Sequence, residues 1–527
     1  MKRTNRQLQN IAFGVIVYVL GTGQLLAAPT KESIDASIER ALAEFNVPGM
    51  AVSVVHGDQV FYSAGHGLVE IGKSKRVDDR TLFQIGSVTK AFTTASLAIL
   101  VDEGKLDWDD PVIDYLPEFR LYDAWVTREF TIRDLLTHRS GLPLGAGDLL
   151  MFPDGNATPE EVIHALRYLK PTSSFRSAYA YDNLLYIVAG EVIARVADMP
   201  YEAFLEKRLL QPLGMGDCAA MAERAPRGSV LATPHVLVEG ELEITTTRLG
   251  NLVAAAGGIA CSARSMAKWM SFMLDGGKAG DGKQLVSAAQ FRQLTQPVTP
   301  LPVSGYLAEH AGTFMNAYAL GWSVSPFYGQ PMWSHGGGVW GITTFIAILP
   351  KQDLAVFASN NQMSAAPRAI VNDIIDQFLR DEIKDAGKDW ISIISEILAA
   401  RQAAGADAVA QAFASRNAES TPSLPLEAYS GTYRDTWYGD IKLTLADDGR
   451  LWFVSERNEP LRGPLEHFQY DTFVARWTDR RLMADAYVSF SLSAEGEVER
   501  IKMKAVSPTT DFSFDFHDLD LVRVASE

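Results

Sequence analysis

The sequence predicts an α+β fold, an antiparallel sheet with a helical insertion, followed by a small C-terminal all-β barrel. Three observations predict this. β-rich runs occur near residue 50 and again near residue 345, at the two ends of one long region. Between them the apolar residues recur mostly at helical spacing, broken by Pro and Gly. After Leu426 the pattern turns to short alternating strands with Gly turns.

The elements follow in order. Lys2, Arg3 and Arg6 precede a short apolar stretch, Ile11 to Leu20, and small residues follow at Ala27 and Ala28. This is the pattern of a secretory signal peptide, assigned to residues 1–28. The apolar run is about half the roughly 20 residues a spanning helix needs. Cleavage is therefore expected, leaving no stable transmembrane span and a periplasmic or secreted protein. Residues 31 to 46 place Ile34, Ile38, Ala41, Leu42 and Phe45 on one helical face, and Asn46, Pro48 and Gly49 stop the helix. MAVSVVH and QVFYSAG, joined by His56-Gly57-Asp58, read as a hairpin. From Phe92 to about Met273 the pattern is mostly helical, as in NLLYIVAGEVIARVA. TTFIAILP and LAVFAS are strands, and a helix follows at about 366 to 384. This closes a first domain, 29–388. Residues 389–425 read as an alanine-rich helix and a Pro-containing linker. Residues 426–527 read as the barrel, with hairpin turns at Ala-Asp-Asp-Gly and Ala-Glu-Gly-Glu. Its aromatics, among them Tyr429, Tyr433, Trp437, Tyr438, Trp452 and Phe453, are expected to fill the barrel. The barrel is also a candidate to dock on the first domain and limit which substrates enter.

Of the 527 residues, 47% are apolar and 21% charged, the profile of a folded soluble protein. A net charge of -16 argues against nucleic acid or anionic membrane as partner, since both need a positive surface. Cys218 and Cys261 lie in no CxxC or Cys–His cluster, and the nine His show no ligand spacing. No metal site and no cofactor are expected. The cysteines read as buried small residues, although an exported chain could pair them.

Three short motifs carry chemistry. Ser87-Val88-Thr89-Lys90 opens an apolar helix. A Lys three positions on lies one turn away, so its amine reaches the hydroxyl, which is a weak nucleophile until a base takes its proton. Ser265 to Lys268 has the same spacing, so the motif alone does not select a site. Tyr181-Asp182-Asn183 precedes a helix and can present a phenolate-like Tyr and an amide to a cleft; Tyr179 and Tyr186 compete with Tyr181. His335-Gly336-Gly337-Gly338 leads into a strand, where glycines let a substrate backbone approach. His310-Ala311-Gly312 and Lys278-Ala279-Gly280 also fit an H/K-x-G pattern.

Together the three motifs resemble the beta-lactamase and penicillin-binding-protein superfamily. Tyr-x-Asn is similar to the class C branch, and His-x-Gly in place of Lys-Thr-Gly resembles its D-aminopeptidase-like and esterase-like members. TIRDLLTHRSGLP, LLQPLGMGD and AAAGGIACSARSMAKWM look like family segments, and residues 426–527 resemble the lipocalin-like barrel that follows such domains. The resemblance implies that Ser87 is the acyl-forming nucleophile, Lys90 its general base and Tyr181 the proton shuttle. It implies that Asn183 positions Lys90 or the substrate, that His335, Gly337 and Gly338 bind substrate, and that the N–H groups of Ser87 and Gly338 form an oxyanion hole. The expected function is an exported serine hydrolase acting on a beta-lactam, a D-amino-acid peptide or a small ester. A catalytically weak penicillin-binding sensor or scaffold is the alternative. An α/β-hydrolase would need a GxSxG elbow, which the chain lacks. The expected partner is a small-molecule or short peptide substrate.

Overall fold

The computed structural model describes residues 29–525; the signal peptide expected at 1–28 lies outside the described residues. Thr30 caps the first helix, Lys31–Glu44, in a reciprocal pair of bonds with Ser33, and Ile34, Ile38, Ala41 and Leu42 form its buried face. The hairpin pairs Gly49–His56 with Gln59–Gly67 and turns at Gly57, where φ is 62°. Gly49–His56 then pairs on its other side with Leu354–Asn360, from the far end of the domain. Ile342–Leu349, Gln330–Val339 and Ser323–Phe327 follow across an eight-stranded sheet, which ends on the short strands Ala317–Tyr318 and Thr299–Pro300. Everything between the hairpin and this set of strands is inserted, as the return of strand character near residue 345 predicts.

Both sheet faces are covered, so Gly49–His56 is buried along nearly its whole length. On one face Ile38, Ile374 and Trp390, from three helices, pack against Val52 and Val356. On the other face the insertion supplies Phe83, Phe92 and Trp269 against Ala51 and Phe357. The helix expected to reach residue 384 runs Ala366–Leu379. The chain turns beyond it because buried Asp376 accepts hydrogen bonds from Gly387 N (2.7 Å) and Lys388 N (3.1 Å). The alanine-rich helix spans Trp390–Ala414.

Cys218 and Cys261 are joined by a disulfide, with Cα atoms 4.3 Å apart. This corrects the reading of two separate buried thiols. The bridge between Ala219 and Ala260 brings the two backbones together, a placement that spacing alone does not reveal. Cys261 pairs in turn with Phe83, on the strand that leads to Ser87.

The C-terminal region is a closed barrel of eight antiparallel strands between Gly431 and Arg523, the last strand paired to the first. Tyr429, Tyr433, Trp437, Tyr438 and Phe453 are buried as expected. Trp452 is only half-buried, because it alternates with Phe453 along Leu451–Ser455. The barrel docks on the insertion and on the turn of the sheet at Trp340. Phe514 packs against Phe152 and Trp340 at 5.0 and 5.9 Å between ring centroids. Asn458 Nδ2 donates to Leu149 O and Pro153 O, both at 3.0 Å. Among the described residues no helix is long and apolar enough to cross a membrane.

Candidate active site

Strand Leu82–Gln84 pairs with Ala260–Ser262 and delivers the chain to Gly86, whose φ of 53° suits glycine. Ser87 sits in the short turn that runs straight into helix Thr89–Asp102. This turn lies against His335–Gly338 at backbone contact distance. A Cβ on Gly337 would fall 2.0 Å from Ile85 O, and one on Gly86 2.5 Å from Gly338 N. Close approach of two backbones is therefore what these glycines permit.

His335–Gly338 lies inside strand Gln330–Val339 rather than ahead of a strand, which corrects the sequence expectation. Ser323–Phe327 pairs with that strand only as far as Ser334, whereas Ile342–Leu349 pairs with it to Val339. Gly336–Val339 thus have one sheet neighbour and present their other edge toward Ser87. A periodicity reading misses this because three glycines hide the strand pattern.

Lys90 is fully buried. Its Nζ lies 3.1 Å from Ser87 Oγ and donates to Asn183 Oδ1 (2.8 Å) and Ala256 O (2.9 Å). Burial lowers its pKa to about 7, against the opposing pull of Asp148 and Asp182. Asn183 immediately precedes helix Leu184–Ala197 without capping it, and its Nδ2 donates to Asp148 Oδ2 at 2.9 Å. The Lys90 amine stands 4.8 Å from the centre of the Tyr181 ring. Burial pushes the Tyr181 phenol well above its ordinary value, while the Ser87 side chain pulls it down. The hydroxyl is held as a neutral phenol, which corrects the phenolate-like state expected from sequence.

The competing tyrosines separate. Tyr186 donates to Leu136 O at 2.8 Å and is a core residue. Tyr179 packs on His138 and Tyr318, and only Tyr181 of the three lines the cleft with Ser87. His335 is buried and its Nδ1 donates to the Gly336 carbonyl (2.6 Å), so Nε2 accepts from Tyr318 OH (2.8 Å). Burial, with Lys90 nearby, lowers its pKa to about 3, so the ring is neutral.

The decoys resolve as well. Ser265 is bonded to Asp217, while exposed Lys268 turns away to Gly214 O, so this pair shares no contact. His310 ends the helix Gly305–Ala311 beside Glu309, and Lys278 bridges to Gln284 in a surface hairpin; neither lines the cleft.

Ser87, Tyr181, Asn183, His335 and Gly338 line one cavity of about 290 Å³. Gly337 is packed beneath it against Ile85. Sequence reading missed most of the remaining wall. Met151, Phe152, Leu249, Val253, Trp340 and Met363 make it largely apolar, and Asp511, Phe512 and Ser513 reach it from the barrel. No short motif marks these residues, because they converge from separate loops and a separate domain.

Residues 34–379 match the family described as Beta-lactamase. The chain belongs to the beta-lactamase family. Residues 415–523 match a domain of unknown function, DUF3471. Relatives of this beta-lactamase-family chain include the unguisins hydrolase ungD' of Aspergillus campestris (strain IBT 28561). It is 27% identical over 82% of this chain and 80% of its own length. Penicillin-binding protein 4 of Amycolatopsis lactamdurans is 28% identical over 58% of this chain and 79% of its own. The octameric penicillin-binding protein homologue from Pyrococcus abyssi shares the fold. It has a TM-score of 0.60 and 21% identity, covering 93% of this chain and 99% of its own.

Proposed function

We propose that this beta-lactamase-family protein is an exported serine hydrolase that cleaves an amide or ester bond through a Ser87 acyl-enzyme. The carrying observation is the set of contacts around Lys90. A neutral amine has two N–H bonds and one lone pair. Asn183 Oδ1 and Ala256 O take both N–H bonds, so the lone pair remains for the Ser87 hydroxyl at 3.1 Å. A pKa lowered to about 7 makes that neutral form available at neutral pH.

In this reading Lys90 takes the Ser87 proton as Oγ attacks the substrate carbonyl. The N–H groups of Ser87 and Gly338 receive the developing oxyanion. Tyr181, a neutral phenol beside both residues, passes a proton to the leaving group and regains it from Lys90. Water then hydrolyses the acyl-serine by the reverse relay. Tyr181→Phe is expected to lower kcat at least about 10²-fold, the scale of a lost proton-transfer group. Tyr179→Phe should cost far less; the opposite order in steady-state kinetics would move the role to Tyr179.

The wall of the cleft supports an acyl group that carries no carboxylate. Among the described residues no Lys or Arg lines it, and His335, which stands where a lysine is usual, carries no charge. Small esters and D-aminoacyl amides therefore suit it better than a carboxylate-bearing beta-lactam. Similarity to the unguisins hydrolase supports hydrolysis rather than simple binding. The test is a panel of p-nitrophenyl esters, D-aminoacyl p-nitroanilides and nitrocefin. Esters or anilides should be turned over faster than nitrocefin. Rapid nitrocefin turnover with inert esters and anilides would reverse the substrate assignment. The basic and apolar start of the sequence, Lys2 to Ala28, supports export to the periplasm or medium. The net charge of -16 supports a small-molecule or short peptide partner over nucleic acid.

A further inference from the structure

The cleft residues from the barrel do more than form its rim. Ser513 Oγ donates to Asp148 Oδ2 at 2.8 Å, the same oxygen that receives Asn183 Nδ2. Asp515 accepts from the backbone on both sides of Asp148, from Gly147 N at 2.7 Å and Leu149 N at 3.1 Å. Phe512 lies where a side chain on Gly145 would stand, with 2.8 Å to a Cβ built there, and packs edge-on against Tyr181 at 5.9 Å. Gly145 N donates in turn to Tyr181 O at 2.8 Å. One barrel segment, 512–515, therefore braces the loop 145–149, and that loop braces Tyr181 and Asn183.

We propose that Ser513 is a positioning residue for hydrolysis: through Asp148 and Asn183 it holds the Lys90 amine against Ser87. The path is unbroken, Ser513 to Asp148 to Asn183 to Lys90 to Ser87, with no step longer than 3.1 Å. Asp148 is fully buried, and among the described residues its Oδ1 has no partner. The side-chain hydrogen bonds that orient it therefore all come through Oδ2. Removing the Ser513 hydroxyl leaves Asn183 as the sole side-chain partner of Asp148, so the carboxyl that anchors the amide holding one of the two Lys90 N–H bonds is itself less firmly held. The barrel thus completes the catalytic arrangement of the first domain, beyond any effect on which substrates enter. This rests on the reading of Lys90 as the base.

The test compares Ser513→Thr with Ser513→Val in the full-length protein, since these two side chains have nearly one shape and differ in the hydroxyl. The substrate is p-nitrophenyl acetate, too small to depend on the outer wall, and assays run below the melting midpoints of both variants. Ser513→Val should lose about tenfold in kcat, the scale of one buried hydrogen bond, with KM within about twofold. Ser513→Thr should keep kcat within about threefold of the unsubstituted protein, because its hydroxyl can still reach Asp148. Equal kcat in the two variants, or a loss confined to KM, overturns the proposal. Lys90→Ala is measured alongside. If it keeps full kcat, the hydrolase mechanism falls and the positioning role with it. If it abolishes kcat while Ser513→Val does not lower it, only the positioning role falls.

Discussion

Ser87→Ala is expected to abolish both hydrolysis and covalent labelling by a fluorophosphonate, a loss of at least about 10⁴-fold in kcat. The hydroxyl is the one atom placed to reach both the Lys90 amine, at 3.1 Å, and a carbonyl lying along the Gly336–Val339 edge. Removing it leaves the oxyanion donors and the apolar wall intact, so the substrate should still bind. The fold should survive, because Ser87 is only partly buried and its Oγ is not a cap for the helix it precedes. Intact-mass measurement of labelled protein checks this. Labelling that persists in the variant, or that maps to Ser265, would refute the assignment of the nucleophile.

Lys90→Ala should lower kcat at least about 10²-fold, the usual cost of losing a general base. The unsubstituted enzyme should show an acid limb in kcat/KM with its midpoint near 7. The sign follows from which form is needed. Above the midpoint Lys90 is a free amine and accepts the Ser87 proton. Below it the amine is protonated, its lone pair is gone and activity falls. An ordinary lysine would place the limb above pH 10; because burial also raises Asp182 to about 7, a limb near 7 reports desolvation of this amine when it depends on Lys90. The limb should vanish from the residual activity of Lys90→Ala. A limb that survives unchanged in the variant would assign the titration to another group and remove Lys90 from the role of base. Asp182 and Asp148, both buried, are the groups whose charge would move the midpoint upward.

Much of the site is legible in local spacing. Ser and Lys three apart on a helix share a face whatever surrounds them, and Tyr-x-Asn before a helix puts both side chains at its entrance. What spacing does not do is choose between copies. Ser87–Lys90 and Ser265–Lys268 are the same pattern, and both follow a short strand. The first pair has a wholly buried lysine between Asn183 and the Ala256 carbonyl. The second has an exposed lysine that reaches Gly214 O and a serine tied to Asp217. Desolvation makes the difference, and it depends on what the rest of the chain brings near.

The sequence alone determined the α+β architecture, the helical insertion and the separate barrel. These follow from periodicity, which each segment carries in its own residues. It also determined the Ser-Lys, Tyr-Asn and His-Gly set through which the chain resembles its family. The tertiary structure decided which serine has a buried lysine within hydrogen-bond reach, that Tyr181 rather than Tyr179 lines the cleft with it, and that Cys218 and Cys261 are bonded. It decided that the His335 strand offers an open edge, and that hydrogen bonds run from a barrel segment more than 360 residues further along the chain through Asp148 and Asn183 to the lysine. The physical reason is common to all of these. A lowered lysine pKa, a neutral histidine and an anchored amide are set by burial and by partners. Those partners arrive from loops whose own sequences carry no periodic signal of where they will lie.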